Sequence, residues 1–388
     1  MSELIQAEKK INCLHRNLLT TTSALAFATY LAATSLACAD DSDRPTVWVE
    51  LGGQMDMMQG TTTPFVAGFM STKPESDFYD PSIFLRDQKA AHNSTGFEGK
   101  VEVDSKNSDW SFAAGIRYGR SSAKRHTHYQ TFGKTAPIGL EYYHYFTNVT
   151  VNAFTDIVQK YSEQHYVIDF SAGRDVGIGL FGRDGTSKVS VGIRLAEVNT
   201  SSTTAIYARP NLDVVDVGFD LGSYGRFYLP RPAFNQYSLT GDTTRSFHGI
   251  GPSLAWDASA TLLGNKDAGE LVLDWGINGS LLFGRQKSKV QHNTLATQYT
   301  AGTKYGRAHY VGPLYPPRNL HSTRSRSVTV PNVGGFAGFS VQYPNVKVSL
   351  GYRADFFFGA VDGGIDVHSY KDLGFQGPFA TVSIGLGG

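Results

Sequence analysis

Apolar and polar side chains alternate almost without exception in two adjoining segments of this chain, Thr95 to Asp104 and Trp110 to Arg120. Successive side chains of a β-strand point to opposite faces, so each segment predicts a strand with one apolar and one polar face. The short polar link at 105–109 predicts that the two strands form a hairpin. Such a sheet can cover the core of a soluble protein, or it can face hydrocarbon and enclose a polar interior. The alternation of apolar and polar residues does not distinguish these two cases.

The same period of two recurs along the chain and predicts ten strands. The other eight are expected near 46–55, 165–172, 188–195, 250–260, 271–283, 333–343, 346–358 and 380–386. Short turns alternate with long connections, as in outer-membrane barrels with short periplasmic turns and long external loops. Because a bilayer core holds no water, strands can cross it only in a closed sheet. We therefore predict an all-β fold, a closed antiparallel up-and-down transmembrane barrel of about ten strands, within a range of about eight to twelve.

The first residues predict a secretory signal peptide. Basic residues between positions 9 and 16 precede a mostly apolar run at 18–37, which is followed by small residues up to Ala39. This order of basic, apolar and small residues is typical of a cleaved leader. We expect cleavage after Ala39, with residues 1–39 as the signal peptide and residues 40–388 as the barrel. A membrane anchor and a lipoprotein attached at Cys38 are the alternatives.

Composition narrows the function classes. Both cysteines, Cys13 and Cys38, lie in the leader, so a chain starting at position 40 has no thiol for disulfides or metal ligation. Lys and Arg total 35 against 34 Asp and Glu, which gives no reason to expect a nucleic-acid partner. The 42 glycines exceed the usual share of about 7% and suit crowded strands and turns. After the leader no apolar run reaches the roughly 18 residues of a spanning helix, so a membrane crossing would need strands.

Specific sequence strings accumulate in the C-terminal third. They are Phe247-His-Gly-Ile-Gly-Pro252, Ser280-Leu-Leu-Phe-Gly-Arg285, Val330-Pro-Asn332, Gly351-Tyr-Arg-Ala-Asp-Phe-Phe-Phe-Gly-Ala-Val-Asp362 and Phe375-Gln-Gly-Pro-Phe379. Together they resemble the major outer membrane protein-like, pore-forming family of Gram-negative bacteria. The resemblance covers the rest of the chain mainly through the strand pattern. It implies a closed barrel in the bacterial outer membrane that acts as a pore.

Charged residues of both signs occupy the predicted inward faces, where they are candidates for lining the lumen. They are Glu98, Lys100, Glu102, Arg117, Asp169, Lys188, Arg194, Asp257, Asp274, Lys347, Arg353 and Asp355. In a narrow barrel such groups pair and fill the lumen, whereas in a wet barrel they set a field that selects solutes. A barrel of about eight strands is nearly filled by its own side chains. A small or gated pore for passive passage of small solutes is favoured, and a plugged structural or adhesin barrel is the alternative.

A basic segment is predicted to form an external loop between positions 287 and 326, and it contains no acidic residue. Its cations are Lys287, Lys289, Lys304, Arg307, Arg318, Arg324 and Arg326. Such a loop is expected to contact anionic lipopolysaccharide beside the outer-membrane lipid, or to concentrate anionic solutes at the mouth. A solvated loop that only aids solubility is the alternative.

No local signature of catalysis is present. His126 and His128 lack a third ligand nearby in sequence, and no Gly-x-Ser-x-Gly elbow, His-Glu-x-x-His helix or phosphate loop occurs. We therefore expect a protein that is not an enzyme and holds no metal or cofactor. A hydrolase active at the rim of the barrel is the alternative, because catalytic groups are recognised by geometry rather than by sequence position.

Overall fold

The computed structural model describes residues 46–59, 93–105, 108–140, 145–177, 185–209, 213–220, 222–265, 269–301, 308–364 and 367–386. The predicted signal peptide lies outside these residues. Among the described residues, no helix has the length and apolar character needed to cross a bilayer.

The described residues form eleven strands. They are β1 (Thr46–Gln59), β2 (Asn93–Asp104), β3 (Trp110–Leu140), β4 (Tyr145–Asp175), β5 (Thr186–Arg209), β6 (Asp213–Asp220), β7 (Arg226–Asn265), β8 (Gly269–Ala301), β9 (Ala308–Tyr343), β10 (Val346–Asp362) and β11 (Tyr370–Leu386). Ten of them form the barrel, and β6 is a short strand that pairs with β7.

Antiparallel pairing closes the sheet on itself. The first strand pairs with the last, with Val47 opposite Leu386. Pairing of β5 with β7, for example Val191 opposite Leu254, joins the two remaining edges. The predicted closed, ten-stranded antiparallel barrel is therefore confirmed. Its short-turn end is marked by the two-residue turn Pro344–Asn345 between β9 and β10.

Apolar side chains cover the outside of the barrel from the short-turn end upward. On β10 the outward positions include Val346, Val348, Leu350, Tyr352 and Phe358, of which 37% to 65% is exposed. At about 3.3 Å per residue and a tilt near 40°, this row rises about 30 Å. That height matches the hydrocarbon core of a bilayer. We call this surface the apolar belt.

The segments predicted as long loops are largely strand, and this part of the prediction was wrong. Residues 121–164 pair β3 with β4 from Ser121 opposite Glu163 out to Leu140 opposite Tyr145. Residues 287–301 and 308–326 likewise belong to β8 and β9. The outward faces of these strands carry mainly charged and other polar residues, such as Lys124, Lys160 and Lys287, so the apolar alternation that revealed the other strands is missing. Thr nevertheless suits extended backbone.

Strands β3, β4, β5, β7, β8 and β9 thus continue beyond the apolar belt and form an extension. Its interior contains buried apolar side chains, since Ile206, Tyr237, Leu239 and Val290 are at most 4% exposed, and buried polar ones such as His292. β10 and β11 do not continue into it, since the chain turns back between Asp362 and Tyr370.

Candidate functional site

The lumen contains a polar cavity at the short-turn end with a volume of about 870 Å³. Several charged side chains on its wall form ion pairs. Lys100 Nζ lies 2.6 Å from Glu102 Oε2, and Lys188 donates to the other oxygen of Glu102. Lys347 Nζ donates to Asp274 Oδ1 at 2.9 Å. The cavity therefore offers both signs of charge to water or a small polar solute.

A layer of arginines and carboxylates crosses the lumen above this cavity. Arg353 on β10 pairs with Glu98 on β2, and Arg117 on β3 pairs with Asp355 on β10. Since β10 is adjacent to neither β2 nor β3, both ion pairs span the interior. A second cavity of about 180 Å³ lies among these groups. We call this set of side chains the charged layer.

Arg194 on β5 connects the charged layer to the opposite wall. Its Nε and Nη2 donate to the two oxygens of Asp169, at 2.6 and 3.1 Å. Its Nη1 donates to Asn278 Oδ1 at 2.7 Å and to Asn332 Oδ1 at 2.5 Å. Asp355 Oδ1 lies 3.9 Å from the same nitrogen. Only 6% of the Arg194 side chain is exposed, so its charge depends on these partners.

Aromatic rings and glycines shape the space for the charged layer. The Arg353 guanidinium lies 4.5 Å from the centre of the Phe379 ring, within the range of a cation–π interaction. A Cβ atom at Gly334 would lie 2.1 Å from Asp355 Oδ1, and one at Gly276 would lie 2.3 Å from Asp257 Oδ1. Side chains at these two inward positions would therefore displace the carboxylates.

The lumen is closed above the charged layer. The remaining void has a volume of about 10 Å³ and is bounded by Arg117, Asp355, His165, Phe357 and Phe375, among others. A cavity needs about 10 to 15 Å³ to hold one water molecule. This void therefore holds at most about one water molecule.

The end of β10 and the beginning of β11 provide this seal. We call residues 357–364 and 367–375 the plug hairpin. Pairing between β10 and β11 shifts register between Phe357 and Val361, and Gly359 adopts a positive φ of 65°. Only glycine adopts such a φ without strain, so this position lets the backbone turn inward.

The plug hairpin packs an apolar surface against the wall of the lumen. Phe357, Ala360, Val361, Leu373 and Phe375 are at most 6% exposed. They cluster with inward residues of the wall, which are Val167, Ala196, Val198, Phe247, Leu282 and Val330. Apolar side chains on the lumen wall are therefore shielded from water by the plug hairpin.

Three polar residues on β7, β8 and β9 of the wall also hold the plug hairpin. Arg324 donates from Nε to Asp362 Oδ2 and from Nη2 to the carbonyl oxygen of Gly364, both at 2.7 Å. Arg245 donates to the carbonyl oxygen of Gly363 at 3.2 Å, and Gln286 donates to that of Gly359 at 2.5 Å.

The Asp362 carboxylate also organises the plug hairpin itself. Its Oδ1 accepts hydrogen bonds from the backbone amides of Gly364 and Ser369, at 2.9 and 3.1 Å. Burial alone would raise the pKa of Asp362, but the hydrogen bonds from Arg324, Ser369 and Gly364 outweigh burial and lower it. Asp362 is therefore ionised at neutral pH.

The structure places the twelve predicted lumen residues on the inside of the barrel. The wide cavity is lined by Lys100, Glu102, Lys188, Asp257, Asp274 and Lys347, and the charged layer is formed around Glu98, Arg117, Asp169, Arg194, Arg353 and Asp355. The alternation along each strand already showed in the sequence that these residues share the inward face. Their pairing across the lumen depends on closure, which the sequence shows only in part.

The predicted basic loop is divided by the structure. Lys287 and Lys289 are exposed on the outer face of β8, whereas Arg324 points inward to Asp362. Arg326 lies 5.5 Å from the centre of the Tyr370 ring in the plug hairpin. The backbone of Arg318 belongs to β9, and Lys304 and Arg307 lie outside the described residues. A single basic loop was the wrong interpretation, because alternate residues of a strand face opposite sides.

Several residues of the site were not identified from the sequence. Asn278, Asn332, Arg245 and Gln286 bind the charged layer or the plug hairpin. All four lie at inward positions, which could have been read from the strand period. The apolar wall of the upper lumen also had a signal in the sequence. Inward positions are expected to be polar, and an apolar residue at such a position, for example Phe247, indicates a buried contact inside the lumen.

The described histidines with acidic partners lie in three separate places, one of which is the exposed pair of His248 and Glu197 on β7 and β5. His128 donates to Asp156 Oδ1 at 2.7 Å on the outer face of the extension, and this hydrogen bond raises the pKa of His128. His126 shares the same carboxylate oxygen at 3.2 Å. His165 is buried against Glu163 and Phe375 inside the lumen. Over the part of the chain that the structure describes, no group of three His, Cys, Asp or Glu side chains is arranged to hold a metal.

Comparisons with known proteins give only distant similarity. No family model and no curated protein matches the chain. A deltaS2S3 mutant of the TodX monoaromatic hydrocarbon channel is 8% identical over 92% of both chains, with a TM-score of 0.20. A deltaS2 mutant of this channel is 10% identical, over 90% of this chain and 91% of the other, with a TM-score of 0.18. The Pseudomonas putida toluene transporter TodX is 9% identical over 90% of both chains, with a TM-score of 0.17.

Proposed function

We propose that this protein is an outer-membrane pore for the passive passage of small solutes, and that the plug hairpin is its gate. The observation that carries the proposal is the construction of the seal. A hairpin folded into the lumen, packed against wall side chains such as Arg117 and His165, closes the path above the polar cavity. A wide cavity on one side of a removable seal is the arrangement that a gated channel needs.

The apolar belt supports location in a bilayer. Its side chains, such as Leu51, Leu254 and Ile277, are 57% to 65% exposed on a closed barrel. Patches of this size on a soluble protein would drive association. Closure pairs the backbone groups that hydrocarbon could not solvate.

The closed state is expected to dominate. Burying a side chain such as Phe357, Val361 or Leu373 is worth roughly 1.5 to 3 kcal/mol each. The ion pair between Arg324 and Asp362 and the hydrogen bonds to the plug backbone add to this. Openings of the wild-type pore are therefore expected to be brief and rare.

The charge on the cavity wall favours polar solutes without a strong preference for one sign. Cations and carboxylates alternate around the cavity and form pairs, such as Lys347 with Asp274. The charged layer beyond it would present Arg117, Arg194 and Arg353 to a passing solute. We infer that the charged layer sets the field in the open lumen.

Conductance in planar bilayers tests the proposal. We expect few and brief openings from the purified wild-type protein. Substitution D362A leaves Arg324 without its carboxylate partner and removes the acceptor for two backbone amides of the plug hairpin. If the loss of these contacts destabilises the closed state relative to the open state by about 1.4 kcal/mol, the open fraction rises roughly tenfold. R324A is expected to act in the same direction.

A second variant separates gating from pore formation. In it, residues 359–371 are replaced by a two-residue turn, and the plug residues Phe357, Leu373 and Phe375 that remain are replaced by serine. The rest of β10 and β11 still pairs up to Phe356 opposite Gly374. We expect a folded barrel, shown by heat-modifiable mobility on gels, with sustained conductance. A folded barrel without conductance in all three variants would contradict the pore.

A plugged structural or adhesin barrel is the second candidate, and the extension favours it. Six strands project beyond the apolar belt and enclose a core of buried side chains around Tyr237 and Leu239. Such a rigid projection suits contact with another surface more than it suits conduction. Absence of channel activity in the variant without the plug hairpin is the result that this candidate predicts.

A further inference from the structure

Three cations form a ladder on the outer face of β8, directly beyond the apolar belt. Outward positions Leu281 and Phe283 belong to the belt and are 40% and 53% exposed. The next three outward positions on the same strand are Arg285, Lys287 and Lys289, all exposed. We call these three residues the basic ladder. Phe283 is therefore the last apolar outward residue of β8, and Arg285, the next outward residue, is the first basic one.

The neighbouring strands contribute polar groups but no acid directly beside the ladder. On β7 the residues opposite are His248, Ser246 and Thr244, and on β9 they are Ser327, Ser325 and Thr323. Within the described residues, no carboxylate forms an ion pair with Arg285, Lys287 or Lys289. Glu197 on β5 is bound by His248 and Tyr166. Asp242 lies opposite Gln291, one outward position beyond Lys289.

We propose that the basic ladder binds the phosphate groups of a phosphorylated glycolipid of the outer leaflet, as in the lipid A part of lipopolysaccharide. The phosphates of such a lipid lie at the headgroup level, just outside the layer of acyl chains. Arg285 lies at the same height, because it is the first outward residue of β8 beyond the apolar belt. The guanidinium can bind a phosphate through two parallel hydrogen bonds, and the two ammonium groups supply further charge. Hydroxyl groups of Ser and Thr on both sides can donate to sugar and phosphate oxygens.

The inference requires that the barrel lies in a membrane, but it does not require that the barrel conducts. The ladder is on the outer surface, and the gate is inside the lumen. Loss of glycolipid binding would therefore leave conductance unchanged, and absence of conductance would leave glycolipid binding unchanged. The two proposals fail separately.

Binding is measured with the folded protein in detergent micelles, by native mass spectrometry and by tryptophan fluorescence titration. The probes are diphosphoryl lipid A, lipid A without phosphate, phosphatidylglycerol and pyrophosphate. We expect wild type to prefer diphosphoryl lipid A. In the variant R285Q/K287Q/K289Q the dissociation constant for this lipid should rise roughly tenfold or more. The charge-preserving variant R285K/K287R/K289R should retain binding.

A matched variant tests whether the ladder itself, and not overall charge, is responsible. R120Q/K124Q/K160Q also removes three exposed cations, on β3 and β4 across the barrel. It should change the dissociation constant much less. Equal losses in both triple variants, or equal wild-type affinity for phosphatidylglycerol or pyrophosphate, would overturn the glycolipid site. Heat-modifiable gel mobility shows that every variant is folded.

Discussion

Arg194 donates hydrogen bonds to Asp169, Asn278 and Asn332, which lie on three other strands. A buried charge is stable only where its partners replace the water it has lost. The charged layer follows this rule at each of its arginines, since Arg117 has Asp355 and Arg353 has Glu98. The alternation of apolar and polar residues along the strands predicted that these side chains face inward. It could not predict the partners, because ion pairs across a lumen depend on which strands face each other.

Substitution Arg194→Met tests the importance of this network at a single residue. It leaves Asp169 and Asp355 with Arg117 as their one remaining shared cation, and it removes the donor to Asn278 and Asn332. We expect a loss of roughly 3 kcal/mol in the free energy of unfolding, the range found when one partner of a buried pair is removed. Urea unfolding in detergent micelles measures the change.

Arg194→Lys is the matched control, because it keeps the charge and loses the two-point contact with Asp169. It should destabilise the barrel less than Arg194→Met does. A difference below about 0.5 kcal/mol between wild type and Arg194→Met would show that water in the lumen compensates for the lost partner.

Asp362 makes gating dependent on acid pH in a defined direction. Because its pKa is lowered in the closed state, its contribution is present above the ordinary Asp pKa of about 3.9 and is lost as pH falls through the lowered pKa. We expect the open fraction to stay constant from neutral pH to about pH 5 and to rise only below about pH 4. Planar-bilayer recordings across this range provide the measurement, and D362N should remove the dependence.

At the scale of elements, the strands inside the apolar belt were predictable and those beyond it were not. Hydrocarbon outside and water inside force alternation, which is why the segments at 95–120 and 346–358 could be read directly. The extension has polar residues outside and apolar residues inside, as exposed Thr203 and buried Ile206 show, but Thr and Ser also occur on the inner face, as at Thr204, and obscure the period. The plug hairpin continues two predicted strands, and only long-range packing against Phe247 and Leu282 folds it inward.

A reversible cross-link tests the motion of the plug hairpin. If the leader is cleaved, the barrel has no cysteine, so R324C/D362C introduces a single pair at the contact between wall and plug. A short bifunctional methanethiosulfonate should join the two thiols and abolish conductance. Reduction should restore conductance to a level above wild type, since the native ion pair is absent.

The single variants R324C and D362C, treated with the same reagent, are the controls and should remain open more often than wild type. Conductance that persists unchanged after complete cross-linking would show that solutes take another path. The gate would then have to be assigned to a different element.

At the scale of the whole molecule, one closed sheet has two environments on its outer surface. The apolar belt rises from the short-turn end, and the extension continues it with polar and charged side chains. The four tryptophans divide between outside and inside. Trp110 is 44% exposed at the start of β3 on the belt, whereas Trp48 lies at an inward position of β1, near Gly385.

This division predicts which tryptophans contact lipid. Single-tryptophan proteins that retain either Trp110 or Trp48, with the other three replaced by Phe, are reconstituted in vesicles of brominated phosphatidylcholine. Emission from Trp110 should be strongly quenched, and more by bromine near the headgroup than by bromine near the chain ends, because Trp110 lies at the edge of the belt. Emission from Trp48 should be quenched weakly at every bromine depth. Equal quenching of both residues would mean that the sheet is not closed around its polar side, since lipid would then reach a face that the barrel encloses.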